Sequence, residues 1–126
     1  MQVNGMRNQQ QSFGMAFQKM NKGVLDVVSS RLKEKDVAVF KELIKAQDAN
    51  KNVDIVTFAD GKKRLSANIF PTETNNDVHM VTISEGWLDA LRSPLNFFKS
   101  VCKKADKMSK EVEVKNRISD SINSLN

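Results

Sequence analysis

His79 and Cys102 are the only histidine and the only cysteine of the chain, so they are its one candidate pair for nucleophilic catalysis. Catalysis would require the thiol and the imidazole within hydrogen-bond reach of each other and of an orienting acid such as Asp77. The residues around them do not support this arrangement. Cys102 lies beside Val101 in a helical pattern, where a free cysteine is most often a small hydrophobic residue. We therefore predict that the protein is not an enzyme and has no catalytic residues.

Metal and phosphate sites are not indicated by the sequence either. One histidine and one cysteine supply too few soft ligands for zinc, and the acidic residues follow no calcium-loop spacing. The stretch Asp60-Gly61-Lys62 is too short for a glycine-rich phosphate loop. The sequence thus predicts no metal and no cofactor.

Two groups of basic residues could contact a polyanion. Lys62, Lys63 and Arg64 cluster at the tip of a predicted hairpin. A second group forms one helical row: Lys99, Lys103, Lys107 and Lys110, with Lys104 alongside. Such a row can meet successive phosphates and would give salt-dependent affinity, so sequence-tolerant nucleic-acid binding is one possible function. Against it, this helix offers no arginine or aromatic residue on its basic side for base contacts, and charge rows are ordinarily a solvated surface.

Length and charge place the chain among small single-domain proteins. It has 126 residues and a net charge of +5, and a domain of this size buries roughly two-thirds of its unfolded surface. A single cysteine excludes an internal disulfide, and no apolar run is long enough to cross a bilayer. The amino terminus lacks the apolar segment of a secretory signal. We expect a cytoplasmic protein without a transmembrane segment.

Residues 1–20 are predicted to form a largely disordered tail that contains a short apolar segment, because their first part is polar and cannot bury much surface. Phe13, Met15 and Phe17 fit the period of a strand, and the same segment fits a helical face equally well. This segment either folds back onto its own domain or docks on a partner.

Residues 21–126 are predicted to form one α+β domain. An amphipathic helix is expected at 24–35, and a second helix would begin after Asp36 as its N-cap and end near residue 49. Together they would cover one face of a small sheet.

A β-hairpin at residues 53–70 is the predicted centre of that sheet. Two β-rich runs flank Asp60-Gly61, a pair suited to a turn. With a three-residue loop and a glycine bulge, the predicted pairs are Phe58 with Lys62, Ile55 with Leu65, and Val53 with Ala67. That pairing turns these side chains inward: Val53, Ile55, Leu65, Ala67 and Ile69. A two-residue loop would instead place Asp54 on the inner face.

A third strand and two helices are expected after the hairpin. The strand is predicted at 78–83, and Ser84 would cap a short helix at 85–92 that buries Trp87, Leu88 and Leu91. Ser93 and Pro94 would then begin a long helix that runs to about residue 121.

The long helix carries an apolar stripe that should pack on the sheet: Phe98, Val101, Ala105, Met108 and Val112. After a break at Lys115, Ile118, Ile122 and Leu125 are predicted to resume this stripe. The helix would be about 42 Å long, which is more than a three-stranded sheet needs for cover. Its distal half should therefore overhang and offer apolar residues to a partner or a second copy. The alternative is a frayed tail, because several Asn and Ser residues there are poor helix formers.

The sequence as a whole predicts an α+β fold with two N-terminal helices, a three-stranded antiparallel meander and a long C-terminal helix. The predicted function is that of a small non-enzymatic protein-interaction module, with an unknown protein or a second copy as partner and nucleic acid as the alternative. The predicted partner-binding residues are Phe13, Met15, Phe17, Met108, Val112, Ile118 and Ile122.

Overall fold

The computed structural model describes residues 16–73 and 77–125 and shows an α+β domain. Its elements in chain order are α1 (Lys22–Arg31), α2 (Val37–Ala46), β1 (Val53–Ala59), β2 (Leu65–Pro71), β3 (Val81–Ser84) and α3 (Leu95–Asn123). Short 3-10 turns lie at Glu34–Asp36, Gln47–Ala49 and Asp89–Leu91. The strands form one antiparallel sheet in the order β1-β2-β3. The predicted fold class is confirmed.

The β1–β2 hairpin closes through a longer loop than predicted. The observed pairs are Ala59 with Leu65, Ile55 with Ile69 and Val53 with Pro71, so residues 60–64 form the connection. The predicted pairs of Phe58 with Lys62, Ile55 with Leu65 and Val53 with Ala67 are wrong. The Asp60 carboxylate favours the longer loop, because it accepts hydrogen bonds from the amides of Lys62 at 2.8 Å and Arg64 at 3.0 Å.

Lys63, rather than Gly61, adopts the left-handed backbone conformation in this loop, with φ of 62°. A residue with a side chain costs roughly 1–2 kcal/mol in that conformation. Two backbone hydrogen bonds hold it there: the Asp60 amide donates to the Arg64 carbonyl at 3.0 Å, and the Lys63 amide donates to the Asp60 carbonyl at 3.1 Å.

The inner face of the sheet is nevertheless the predicted one. Ile55 pairs four residues further along β2 than expected, and an even shift leaves each side chain on its own face. The buried inner side chains are Val53, Ile55, Leu65, Ala67 and Ile69. Asp54 lies on the outer face and is only partly buried.

A short segment before α1 extends the sheet along the free edge of β1. Ile55 donates its amide to the Ala16 carbonyl at 2.8 Å and accepts the amide of Gln18 at 2.9 Å, in a parallel bridge. The Phe17 side chain is fully buried against the ring of Phe98. The described core therefore begins at Ala16, inside the segment predicted to be a tail.

Both N-terminal helices end three or four residues earlier than predicted. The Asn21 side chain caps α1 by accepting the Val24 amide at 2.9 Å. Asp36 precedes α2, but its carboxylate makes no capping hydrogen bond. It accepts a hydrogen bond from the Ser93 hydroxyl at 3.3 Å instead, and this contact joins the start of α2 to the start of α3.

α3 packs across the inner face of the sheet with the predicted stripe. All five residues are buried: Phe98, Val101, Ala105, Met108 and Val112. Around the Phe98 ring, the ring centroids of Phe40 and Phe97 lie at 4.9 Å and 5.1 Å. The helix begins at Leu95, one residue later than predicted, with Pro94 in the cap position, and the Ser93 hydroxyl accepts the Leu95 amide at 3.2 Å.

Two buried amide side chains also fix the position of α3. The Gln47 amide donates to the Asp106 carboxylate at 3.0 Å, and the Asn50 amide donates to the Ala105 carbonyl at 3.3 Å. Asn50 also donates to Gln47 at 3.0 Å. Because the two amides satisfy each other, they remain buried without unpaired groups.

The chain between β2 and α3 differs most from the prediction. β3 covers Val81–Ser84 rather than 78–83, and the helix predicted at 85–92 is wrong, since only Asp89–Leu91 form a 3-10 turn. Its predicted core side chains point into solvent, with Trp87 69%, Leu88 52% and Leu91 77% exposed.

Candidate interaction surfaces

The predicted partner-binding residues fall into three groups. Two lie outside the described residues: Phe13 and Met15. Three are buried in the core: Phe17, Met108 and Val112. Ile118 and Ile122 remain accessible and are 56% and 60% exposed. Of the predicted set, only these two lie on a described surface that a partner could contact.

α3 extends beyond the body of the domain after Val112. Every side chain from 113 to 125, here called the distal segment, is exposed. Among the described residues, the ion pair that reaches it joins Lys115 to Asp77 at 3.9 Å. The overhang expected from the sequence is therefore present. Because the distal segment continues a helix that is anchored in the core, it needs no separate nucleation.

Four exposed aliphatic side chains line one side of the distal segment and are here called the distal stripe: Val114, Ile118, Ile122 and Leu125. Spacings of four and three residues keep them on one face. The prediction that Ile118 resumes the buried stripe is wrong. Six residues separate Val112 from Ile118, which at 3.6 residues per turn is a rotation of about 240°. The distal stripe therefore faces away from the side that packs on the sheet.

The predicted lysine row lies on the solvent side of α3. Lys99, Lys103, Lys107 and Lys110 are exposed, and Lys104 is partly buried. None of these lysines forms an ion pair with a described residue. Lys110 and Val114 are one turn apart, so the lysine row and the distal stripe follow each other along the same side of the helix.

The second predicted basic group lies at the tip of the hairpin. Lys62 and Lys63 are exposed, and Arg64 pairs with Asp60 at 2.9 Å. The Arg64 amide, the Lys62 amide and the Arg64 guanidinium together hold the pKa of Asp60 below its ordinary value. No hydrogen bond or ion pair in the described parts of the chain connects this tip with the lysine row. The two basic groups are separate surfaces.

Arg31, the last residue of α1, joins three segments of the chain, α1, the hairpin tip and the connection between β3 and α3, in an arrangement here called the Arg31 hub. Its two terminal nitrogens bind the two oxygens of the Glu85 carboxylate at 2.6 Å and 2.9 Å. They also donate to three backbone carbonyls, those of Lys63 at 3.2 Å, Asp89 at 3.0 Å and Arg92 at 2.9 Å. The side chains of Arg31 and Glu85 are only 9% and 3% exposed. The forked guanidinium suits this bidentate contact.

Glu85 completes the hub on the side of the sheet. Its carboxylate accepts the Leu65 amide at 2.9 Å, and its own amide donates to the Leu65 carbonyl at 2.9 Å. The hub thereby fixes the hairpin tip and the turn before α3 as neighbours.

The turn held by this hub projects the side chains of Trp87, Leu88 and Leu91 outward. The sequence pattern suggested a buried helix because these residues have helical spacing. Gly86 is the signal against a helix, because glycine lowers helix propensity. The turn begins at Gly86, whose amide donates to the Asp89 carboxylate at 3.1 Å.

The two candidate catalytic side chains have different environments. The Cys102 thiol is buried on α3 and donates to the Leu43 carbonyl at 3.8 Å. Burial, with a smaller effect from Asp106, raises the pKa of Cys102 to about 12, so the group is a thiol and not a nucleophilic thiolate at neutral pH. His79 is exposed on the segment before β3, and no described hydrogen bond connects it with Cys102.

The described ranges offer little for a metal, a membrane span or a small ligand. No group of three or more His, Cys, Asp or Glu there could hold a metal ion. Among the described helices, none combines the length and apolarity that a membrane span requires. A cleft of about 150 Å³ beside the start of α3, lined in part by Ser84, Asp89, Arg92 and Asn96, is smaller than the roughly 300–1,000 Å³ of ligand pockets.

Comparison with known proteins gave no match: no family model, no curated protein and no solved structure is similar to this chain.

Proposed function

We propose that this protein is a small interaction module that acts by binding and not by catalysis, and that it self-associates through the distal segment of α3. The distal stripe is the observation that carries this proposal. Its four aliphatic side chains are exposed on one side of a helical segment that extends beyond the domain, and an exposed apolar patch of this kind is typical of an interface. The proposed partner is a second copy of the chain.

Charge favours an antiparallel arrangement of the two copies. A parallel pair would set the two lysine rows against each other, because each row lies on the same side as the distal stripe, and like charges across an interface are unfavourable. An antiparallel pair centred on Ile118 brings Val114 of one copy to Ile122 of the other. The two lysine rows then lie at opposite ends of a symmetric contact, the commonest form of soluble dimer.

The size of the distal stripe supports a modest affinity. Full burial of an aliphatic side chain stabilises by about 1.5–3 kcal/mol, and these side chains are already partly covered by their own helix. We take about 1 kcal/mol for each of eight side chains, against an association cost on the order of 4–15 kcal/mol. At the lower end of that cost the net free energy of association is about −4 kcal/mol, so the expected dissociation constant is roughly millimolar and the test must reach that protein concentration.

Sedimentation velocity over a range of protein concentrations tests this proposal. We expect the wild type to shift from monomer to dimer and Ile118→Asp to remain monomeric, because a carboxylate at the centre of the contact would be buried without a partner. Ser119→Asp is the matched control, since it adds the same charge at a neighbouring exposed position away from the distal stripe. A wild type that stays monomeric throughout, or an Ile118→Asp variant that associates like the wild type, would contradict the proposal.

Nucleic-acid binding is the second candidate function, and the lysine row favours it because its exposed side chains form no ion pair with a described residue. Binding through this row should weaken steeply with salt, because lysines that neutralise phosphates release counterions. Lys103→Glu with Lys107→Glu should abolish binding, whereas Lys41→Glu with Lys45→Glu on α2 should weaken it much less. Filter binding with single-stranded DNA measures both effects. Salt-insensitive binding, or equal losses in the two double variants, would exclude the lysine row as the site.

A further inference from the structure

The turn between β3 and α3, here called the apolar turn, carries three large exposed side chains: Trp87, Leu88 and Leu91. The Arg31 guanidinium fixes the backbone of this turn by donating hydrogen bonds to the carbonyls of Asp89 and Arg92. The apolar turn is therefore ordered before any partner binds, so that docking it requires little loss of backbone entropy.

Basic side chains lie on both sides of the apolar turn. Arg31 binds the carbonyls of Lys63 and Asp89 together, so the hairpin tip is next to the turn. The contact between Ser93 and Asp36 places the connection from α1 to α2 on another side. The exposed cations of these segments are Lys33, Lys35, Lys62, Lys63 and Arg92.

Fewer acidic groups face the same region. Two are neutralised in ion pairs, Glu85 by Arg31 and Asp60 by Arg64. The others are Glu34, Asp36 and Asp89. The surface around the apolar turn is therefore basic, and it complements an anionic partner.

We propose that the apolar turn docks on an anionic lipid bilayer. Tryptophan prefers the membrane interface, the two leucines add apolar burial below it, and the neighbouring lysines meet anionic head groups. The three side chains project from a turn, and a bilayer accepts such a projection without a complementary pocket. This surface is distinct from the distal stripe, which begins 19 residues into α3, about 28 Å along the helix axis from Leu95.

Tryptophan fluorescence tests this proposal directly, because Trp87 is the only tryptophan and the chain has no tyrosine. The full chain is titrated with vesicles of phosphatidylcholine alone and of phosphatidylcholine mixed with phosphatidylglycerol. We expect a blue shift and quenching by brominated acyl chains with the anionic vesicles, much weaker changes with the neutral ones, and reversal at high salt.

Variants of exposed residues separate the contribution of the basic side chains from that of the apolar side chains. Lys62→Gln with Lys63→Gln should weaken vesicle binding about thirtyfold, from roughly 1 kcal/mol for each lysine near an anionic surface. Leu88→Asp should weaken vesicle binding at least about tenfold, because the variant loses the aliphatic side chain that the bilayer would bury. The control Leu25→Asp changes an exposed leucine on α1 and should bind like the wild type.

Three results would overturn the proposal. The first is an emission maximum that anionic vesicles leave unchanged. The second is an equal loss of binding in Leu88→Asp and Leu25→Asp. The third is a blue shift that grows with protein concentration in the absence of lipid, which would assign the apolar turn to a contact between two copies of the chain.

Discussion

Replacing Arg31 by methionine removes the five hydrogen bonds of the Arg31 hub and keeps a side chain with similar helix propensity. The Glu85 carboxylate then stays buried with the Leu65 amide as its remaining donor. Loss of one member of a buried ion pair costs about 3–5 kcal/mol. Arg31 Nε has no hydrogen-bond partner, so its removal costs nothing further. We expect the free energy of unfolding to fall by about 3 kcal/mol.

A double-mutant cycle separates the buried charge from the lost hydrogen bonds. Glu85→Gln in the Arg31→Met background removes the unpaired charge but keeps an acceptor for the Leu65 amide. The double variant should therefore be more stable than Arg31→Met alone by about 1–2 kcal/mol. Arg31→Lys should restore only part of the loss, because an ammonium group offers a single point charge in place of the fork.

Urea unfolding followed by far-ultraviolet circular dichroism is the appropriate assay. Trp87 is already exposed in the folded protein, so its fluorescence would report unfolding poorly. Arg117→Met on the distal segment is the matched control and should stay within about 0.5 kcal/mol of the wild type. An Arg31→Met variant as stable as this control, or a double variant less stable than Arg31→Met, would refute the reasoning about the hub.

Four further predictions follow from single side chains. Phe98→Ala should lower the free energy of unfolding by about 3–5 kcal/mol in the same urea assay, because it empties the centre of the core. Lys63→Gly should raise it by about 1 kcal/mol by relieving the left-handed conformation, and an equal or lower stability would contradict this. Cys102 should not react with Ellman's reagent at neutral pH until the protein unfolds, since burial raises its pKa to about 12. The Asp60 carboxyl should titrate in NMR spectra below its ordinary pKa. The stability that the ionised Asp60 contributes is present above the pKa that Asp60 has in the unfolded chain, and it is lost as the pH falls through the lower pKa of Asp60 in the folded protein. Asp60→Asn should not show this loss.

The fold could be predicted because its main elements have strong periodic patterns. Alternation in β1 and β2 predicts which side chains face inward, and this prediction survives any error in strand register that is an even number of residues. Ile55 and Leu65 therefore lie inside as predicted, although their predicted pairing is wrong. The loop length depends on how the Asp60 carboxylate binds amides two and four residues ahead. No pattern of residue types encodes that choice between turn geometries.

The candidate surfaces were only partly predictable for two physical reasons. Ile118, Ile122 and Leu125 keep helical spacing with one another, but Ile118 follows Val112 by six residues, and this rotation of about 240° turns its side chain away from the sheet. The Arg31 hub joins residues 54 positions apart, and hydrogen bonds between distant segments leave no periodic trace in the sequence. The exposure of Trp87 and Leu91 depends on that hub and was therefore missed.

The central claim, that two copies pair antiparallel through the distal stripe, is tested most directly by the distance between spin labels on Asn123→Cys in a Cys102→Ala background. Each label lies five residues from the centre of the pair at Ile118, so the two labels are offset by about 15 Å along the helix axes. Combined with an interaxial distance of about 8–10 Å, this offset gives a distance of about 18 Å between the labelled positions. We expect one distance near that value in a concentrated sample. A distance near 10 Å, the value for parallel helices, or no dipolar coupling at all would contradict the claim.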